Sequence, residues 1–252
     1  MIDKIINFLF TNHFEKHRKN TNFTVNDIQK YFIYKDGSHT LKIILPGWGN
    51  GVSWTTKVLA RRLSQRGFSC LVYSLPRTIL PYDPHIAPAI FNIVKESIKE
   101  NIVNIKSQYN FKKIDIISTS LGVVTACLIA NDNKDIINTF FIVPGSCLAS
   151  SLWDGVRTQR LKQIYEAQGM DKEKLKKIWH SLAPKNNISI LSSKGIFIAI
   201  SKSDKVIPYS YGREFAELSK KLYPDTLIKE NLHLGHYLTT VKYYLFGKEL
   251  LK

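Results

Sequence analysis

The run IDIISTSLGVVTACLIA, residues 114–130, constrains the fold more than any other stretch of the chain. Its opening, Ile114-Asp115-Ile116-Ile117, is short, apolar and rich in β-branched residues, as in a buried strand. Residues 121–130 are apolar nearly all round and lack proline, which reads as a helix packed against that strand. Between them lies Ser118-Thr119-Ser120-Leu121-Gly122, with small residues two before and two after Ser120. A strand that passes straight into a helix through so tight a turn has no room for bulk at those flanks. The turn would lift the Ser120 side chain clear of both elements and expose it where its neighbours are buried. Taken alone, the pentapeptide reads equally as a polar turn joining a strand to a helix.

A chain of 252 residues can bury one substantial core, and α/β folds of this length are often single domains. Hydrophobic content of 44% and charged content of 22% are ordinary for a soluble globular protein. Cys70, Cys127 and Cys147 lie far apart in or beside apolar stretches. That pattern argues against a disulfide or a zinc site, and for buried free thiols in a reducing, cytoplasmic setting. The apolar stretch 5–10 is short, interrupted by Asn7 and not followed by a small-residue cleavage site, so it does not read as a signal peptide. No run approaches the ~18 apolar residues of a membrane span. The N-terminal stretch reads as an amphipathic helix packed on the domain, with contact to a membrane surface as the alternative.

The net charge is +16, from 36 Lys and Arg against 20 Asp and Glu. The lysines are scattered, with neither a basic stripe nor a nucleic-acid module. A generally basic surface is the plain reading, and a face that attracts an acidic partner or an anionic substrate is the sharper one.

Strand and helix signals alternate along the chain. Residues 29–34 and 41–45 read as strands around the turn Lys35-Asp36-Gly37-Ser38. A helix over 53–65 closes at Gly67, and 68–73 is the next strand. A proline-punctuated loop over 76–88 leads into a helix over 89–106. After the central strand and turn come a strand at 137–143, another at 195–201, a helix at 209–221, a short strand at 226–230 and a closing helix at 236–248. This alternation implies a mostly parallel sheet with helices on both faces, in one domain. Residues 146–193 break the rhythm with two predicted helices, 152–168 and 171–181, divided by Gly169. Helices inserted at the C-terminal edge of a parallel sheet form a small cap. Its apolar residues, among them Trp153, Val156, Ile164, Tyr165, Leu175, Ile178 and Trp179, are expected mainly to pack the cap and in part to line a pocket.

Three further segments meet the turn at Ser120. LPGWGNG, residues 45–51, ends an apolar strand with Gly on both sides of Trp48. SKSDKVIP, residues 201–208, places Asp204 at a strand's end, where it could equally be a turn or cap aspartate. NLHLGHYL, residues 231–238, places His236 at the start of the final helix, with His233 as a near competitor. The remaining histidines, His13, His17, His39, His85 and His180, read as surface or packing residues. With these segments in this order, the chain resembles the α/β-hydrolase superfamily from residue 29 to the closing helix, with Ser118 in place of the first glycine of the serine elbow. The resemblance implies an α/β-hydrolase fold and a triad of Ser120, Asp204 and His236. It also implies an oxyanion hole made of the Trp48 and Leu121 amides, and neither a metal nor a cofactor.

The chemistry that follows from the resemblance is acyl transfer. A serine hydroxyl is too weak an acid to attack unaided, so His236 would take its proton and Asp204 would orient the imidazole. A serine nucleophile, rather than Asp or Cys, argues against dehalogenase and dienelactone-hydrolase chemistry. The expected substrate is a carboxylic ester or thioester, held in an apolar pocket under the cap suggested by Trp48, Trp54, Trp153 and Trp179. A variant of this reading is an acyl group on an acidic carrier protein, suggested by the PGWG loop and the basic surface. An alternative of another class is a non-catalytic binding scaffold on the same fold. Nucleic-acid binding, suggested by charge alone, is a third.

Overall fold

The central strand runs from Lys113 to Thr119 and is buried over all but its first residue. Its β-branched side chains alternate between two packed layers. Ile114 and Ile116 enter one core cluster and Ile117 enters the other. A parallel strand covered on both faces needs this near-continuous apolar run, whereas a half-solvated strand would alternate with polar residues. A computed structural model of the chain describes residues 28, 30–49, 52–75, 77–131, 133–188 and 195–251. The amphipathic helix expected at the N-terminus lies outside these residues, as do Asn50 and Gly51 of the tryptophan loop.

Among the described residues the sheet has seven strands: β1 (Lys30–Ile33), β2 (Thr40–Leu45), β3 (Ser69–Tyr73), β4 (Lys113–Thr119), β5 (Ile136–Ile142), β6 (Gly195–Ser201) and β7 (Leu227–Asn231). Their spatial order is β1-β3-β2-β4-β5-β6-β7. β1 pairs antiparallel with β3, and every other pairing is parallel. One face carries helix α1 (Trp54–Gln65) and the last helix of the chain, through Leu59, Leu63, Tyr243 and Tyr244. The other carries α2 (Ala87–Tyr109) and α3 (Gly122–Asn131), which bury Phe91, Val94, Val123 and Cys127. Helix α2 begins two residues before the predicted start. Proline at position 88 fits a first turn, where its missing N–H leaves no bond unmade.

A polar row crosses the sheet near the N-terminal ends of its strands. Lys42 on β2, Asp115 on β4 and Asn138 on β5 stand in register. The Lys42 Nζ lies 3.0 Å from Asp115 Oδ2, and Asn138 donates to Asp115 Oδ1 at 2.8 Å. Both charges are buried, so each depends on the other for the solvation it has lost.

The cap differs from its sequence reading. The single helix expected over 152–168 is two helices, α4 (Leu148–Asp154) and α5 (Gln159–Ala167), followed by α6 (Lys172–Ile178) and the short α7 (Pro184–Asn187). The break falls at Gly155, where a Cβ atom would stand 2.4 Å from the Val206 carbonyl oxygen. Val156 N donates to Lys205 O at 3.1 Å, and the Thr158 hydroxyl accounts for the carbonyls of Leu152 and Gly155. The cap is therefore cut where it docks on the loop after β6. Its far side is tied to the 76–88 loop: Trp179 Nε1 donates to Pro84 O at 2.7 Å and the Tyr165 hydroxyl to Pro81 O at 2.6 Å. The two rings meet edge to face at 6.0 Å. Among the described residues the remaining α-helices are α8 (Tyr209–Leu222) and α9 (His236–Phe246), both within a residue or two of their predicted spans.

Candidate active site

Ser120 occupies the first position after β4 with φ of 54°, a left-handed conformation that a non-glycine residue rarely adopts. That conformation costs about 1 kcal/mol or more, so the surroundings must enforce it. Several contacts do so. Ser120 N donates to the Ile142 carbonyl at the end of β5, and Ser120 O accepts from Val123 N, both at 3.0 Å. A Cβ on Gly122 would come within 2.2 Å of Leu45 O and 2.7 Å of Pro46 O, so only glycine lets α3 start this close to the end of β2. A Cβ on Gly47 would press on the Ser120 Cβ at 3.1 Å. Ser118, the departure from the glycine pattern, is fully buried, and its hydroxyl donates to Phe140 O at 3.3 Å on β5. At that position the space beside β4 accepts a small hydroxyl and supplies it with a partner.

Asp204 lies three residues past β6, and His236 is the first residue of α9 after β7. Because β4, β6 and β7 are parallel, all three side chains arise at one edge of the sheet, outside the carboxyl ends of its strands. Asp204 Oδ2 lies 2.7 Å from His236 Nδ1. Its other oxygen accepts from Val206 N at 2.9 Å and Ile207 N at 3.0 Å, so the carboxylate is fixed by its own loop. Exposures of 8% for Asp204 and 6% for His236 place the pair out of bulk water, where its attraction is little screened. With Nδ1 engaged by the carboxylate, Nε2 is the nitrogen left to exchange a proton. His233, the competitor, is exposed, as are His39, His85 and His180.

Ser120 and His236 line one cavity of about 600 Å³. Trp48 and Leu121 line it too, beside Ser120. Leu121 heads α3, where the leading amides of a helix have no intrahelical acceptor. The walls are mainly aliphatic, with Leu80, Val124, Leu148, Leu152, Leu161, Ile207 and Val241 contributing. Of the four tryptophans expected in the pocket, Trp48 and Trp54 border it, Trp54 standing 67% exposed at the rim. Trp153 packs against the core with Lys162 over its ring, and Trp179 is buried against the 76–88 loop; neither is a lining residue. The cap contributes Val156, Arg157 and Leu161 instead, because the break at Gly155 turns that segment toward the cavity.

Two features of the site had no sequence signal. The Thr119 and Tyr244 hydroxyls are 2.8 Å apart and buried, which ties the serine turn to the helix that carries His236. Burial pushes the Tyr244 phenol up to about 12, so it remains neutral and able to donate across the working pH range. The second is Arg157, a guanidinium among the mainly aliphatic lining residues, 5.1 Å from the Tyr237 ring centroid.

No protein-family model matches the chain, and no curated protein does. Solved structures do. Est1E from Butyrivibrio proteoclasticus, with ferulic acid bound, is similar with a TM-score of 0.63 at 13% identity, over 89% of this chain and 94% of that one. The Pyrococcus furiosus esterase gives 0.60 at 17% identity over 92% and 91%. The Pyrococcus horikoshii acylaminoacyl peptidase gives 0.66 at 12% identity over 88% of this chain, which spans only 38% of that longer protein. These likenesses, with the sheet order and the helices on both of its faces, define the class: the chain has the α/β-hydrolase fold.

Proposed function

We propose that this protein is a serine hydrolase that cleaves a carboxylic ester or thioester through an acyl-enzyme intermediate. The observation that carries the reading is the buried Asp204–His236 pair opening on the same cavity as Ser120, whose left-handed turn is maintained at a cost in strain. Strain of this kind persists where the surroundings over-determine it, and it concentrates at reacting groups.

In the proposed sequence Ser120 Oγ attacks the acyl carbon while His236 Nε2 takes its proton. The carbonyl electrons move onto oxygen, where the Trp48 and Leu121 amides would receive the charge. The intermediate collapses by breaking the bond to the alcohol or thiol, and His236 returns the proton to that leaving group. Water then repeats the attack on the acyl-serine, again giving its proton to His236, and the acid departs with Ser120 regenerated. Asp204 holds the imidazole in the required tautomer and orientation. The aliphatic walls support an apolar acyl chain, and three buried free cysteines fit a reducing compartment.

Hydrolysis of a p-nitrophenyl ester series tests this reading. Turnover should fall by roughly 10⁶-fold in Ser120→Ala while the far-ultraviolet spectrum is unchanged. An active Ser120→Ala protein would overturn the site, and an inert, folded wild type would favour the binding scaffold.

A further inference from the structure

The residues that line the cavity beside Ser120 divide between the two faces of the sheet. Leu80, Val124, Leu148, Leu152 and Leu161 belong to the core cluster on the α2 and α3 side, and each is 7% exposed or less. They come from the 76–88 loop, from α3 and from the cap helices α4 and α5. Two hydrogen bonds clamp the cap onto the loop that carries Leu80. The Tyr165 hydroxyl donates to Pro81 O at 2.6 Å and Trp179 Nε1 to Pro84 O at 2.7 Å. This arm of the cavity is therefore walled by aliphatic side chains that are themselves part of the core, and it is closed under the cap.

On the α1 and α9 side the cavity is bordered by Trp54, Thr55, Thr240 and Val241, none of them buried. Two of the four carry hydroxyls and Trp54 stands at the rim, so this side is the more open and the more polar. His236, the first residue of α9, belongs to it. An ester's leaving atom must lie against His236 Nε2, which returns the proton to it. The acyl chain leaves the same carbonyl carbon in the other direction, away from α9 and into the aliphatic arm.

We propose that the cavity reads the acyl half of its substrate and is permissive toward the leaving group. The substrate class is then an ester or thioester of a straight, medium-length fatty acid, with Leu161 on the cap and Val124 on α3 setting the chain length. This selection presupposes the serine-hydrolase chemistry above. Each methylene moved from water into an apolar arm gains about fourfold, and the gain stops when the arm is full. A cavity of about 600 Å³, shared with the reacting carbonyl and the leaving group, suits a chain of roughly six to twelve carbons. A longer chain must leave its end in the mouth or push the cap off the 76–88 loop.

Methyl nonanoate and octyl acetate test the selection directly. They are isomers of one composition that carry the long chain on opposite sides of the carbonyl. Acid release below their micellar range gives kcat/KM for each. A preference of tenfold or more for methyl nonanoate is expected, and its absence overturns the inference. Along the p-nitrophenyl series from acetate to hexadecanoate, kcat/KM should rise roughly two- to fourfold per methylene to a maximum between hexanoate and dodecanoate. A series that is highest at acetate overturns it as well. Leu161→Phe narrows the arm from the cap and should lower the decanoate-to-butanoate ratio by about tenfold or more. Val124→Ile adds one methylene from α3 and should lower the same ratio roughly two- to fourfold. A ratio unchanged in both variants removes these residues as the gauge of length. If Leu161→Phe does not fold, Val124→Ile and the isomer pair decide the matter. Fluorophosphonate labelling separates the two readings. Labelling of Ser120 without the acyl preference removes this inference alone, whereas no labelling and no turnover of any ester removes the hydrolase reading with it.

Discussion

Removing the Tyr244 hydroxyl should reveal how the serine turn is held against the helix of His236. The bond from Thr119 to Tyr244 is 2.8 Å long with both side chains buried, so neither group has access to water when its partner is lost. Tyr244→Phe leaves the Thr119 hydroxyl unpaired, and Thr119→Val leaves the phenol unpaired. Each should cost about 1–3 kcal/mol, the desolvation penalty of an orphaned polar group. The double variant leaves neither orphan, so its loss should be smaller than the sum of the two by about 1–2 kcal/mol. In a chain of this size each single loss corresponds to a fall of about 2–12 °C in Tm. Urea unfolding of all four proteins closes the cycle. The phenol's raised pKa adds a sign. Its folded-state value of about 12 exceeds the ordinary 10, so the stability tied to its neutral form is complete below pH 10. That stability is lost as pH rises toward 12, and the advantage of wild type over Tyr244→Phe should shrink across that window. Strict additivity of the two substitutions would refute the coupling.

Three further outcomes follow from close contacts in the site and the sheet. Gly122→Ala drives a Cβ to within 2.2 Å of the Leu45 carbonyl, so the turn must open; a loss of about 3 kcal/mol or more in urea unfolding is expected, with turnover lost too. Ser120→Gly relieves the left-handed conformation and should be about 1 kcal/mol more stable than Ser120→Ala, both inactive; equal stability would mean that the turn stores no strain. Lys42→Met strands the Asp115 carboxylate in the core at about 3–5 kcal/mol, whereas Lys42→Met with Asp115→Leu should recover most of it in thermal unfolding.

The parts of the site legible in the sequence are those with a local steric or positional cause. The small flanks of Ser120 are demanded by a turn only a few residues long, and Gly122 confirms why: the backbone of β2 passes directly against it. Asp204 and His236 stood out through their places at strand ends: the strand before Asp204 is an apolar run of seven residues, GIFIAIS, and the one before His236 is the short, more polar LIKEN at the edge of the sheet. What stayed hidden depends on contacts between distant segments. The helical pattern over 152–168 is continuous enough to read as one helix, and the break at Gly155 goes with contacts some fifty residues on: the Val206 carbonyl occupies the space a Cβ would need, and Val156 N donates to Lys205 O. Tryptophan announces bulk to be buried without saying against what, and the Trp179 indole found its acceptor in Pro84 on the far loop. Nothing among 36 basic residues distinguishes Arg157 until the break turns it into the cavity.

The central claim is that Ser120 is a nucleophile activated by His236. Labelling with a fluorophosphonate, followed by mass mapping of the modified peptide, addresses it directly. The account predicts a single tag on the peptide containing Ser120, absent in Ser120→Ala and slowed at least ~10³-fold in His236→Ala. A folded protein that takes no tag, or takes it on another serine, would contradict it.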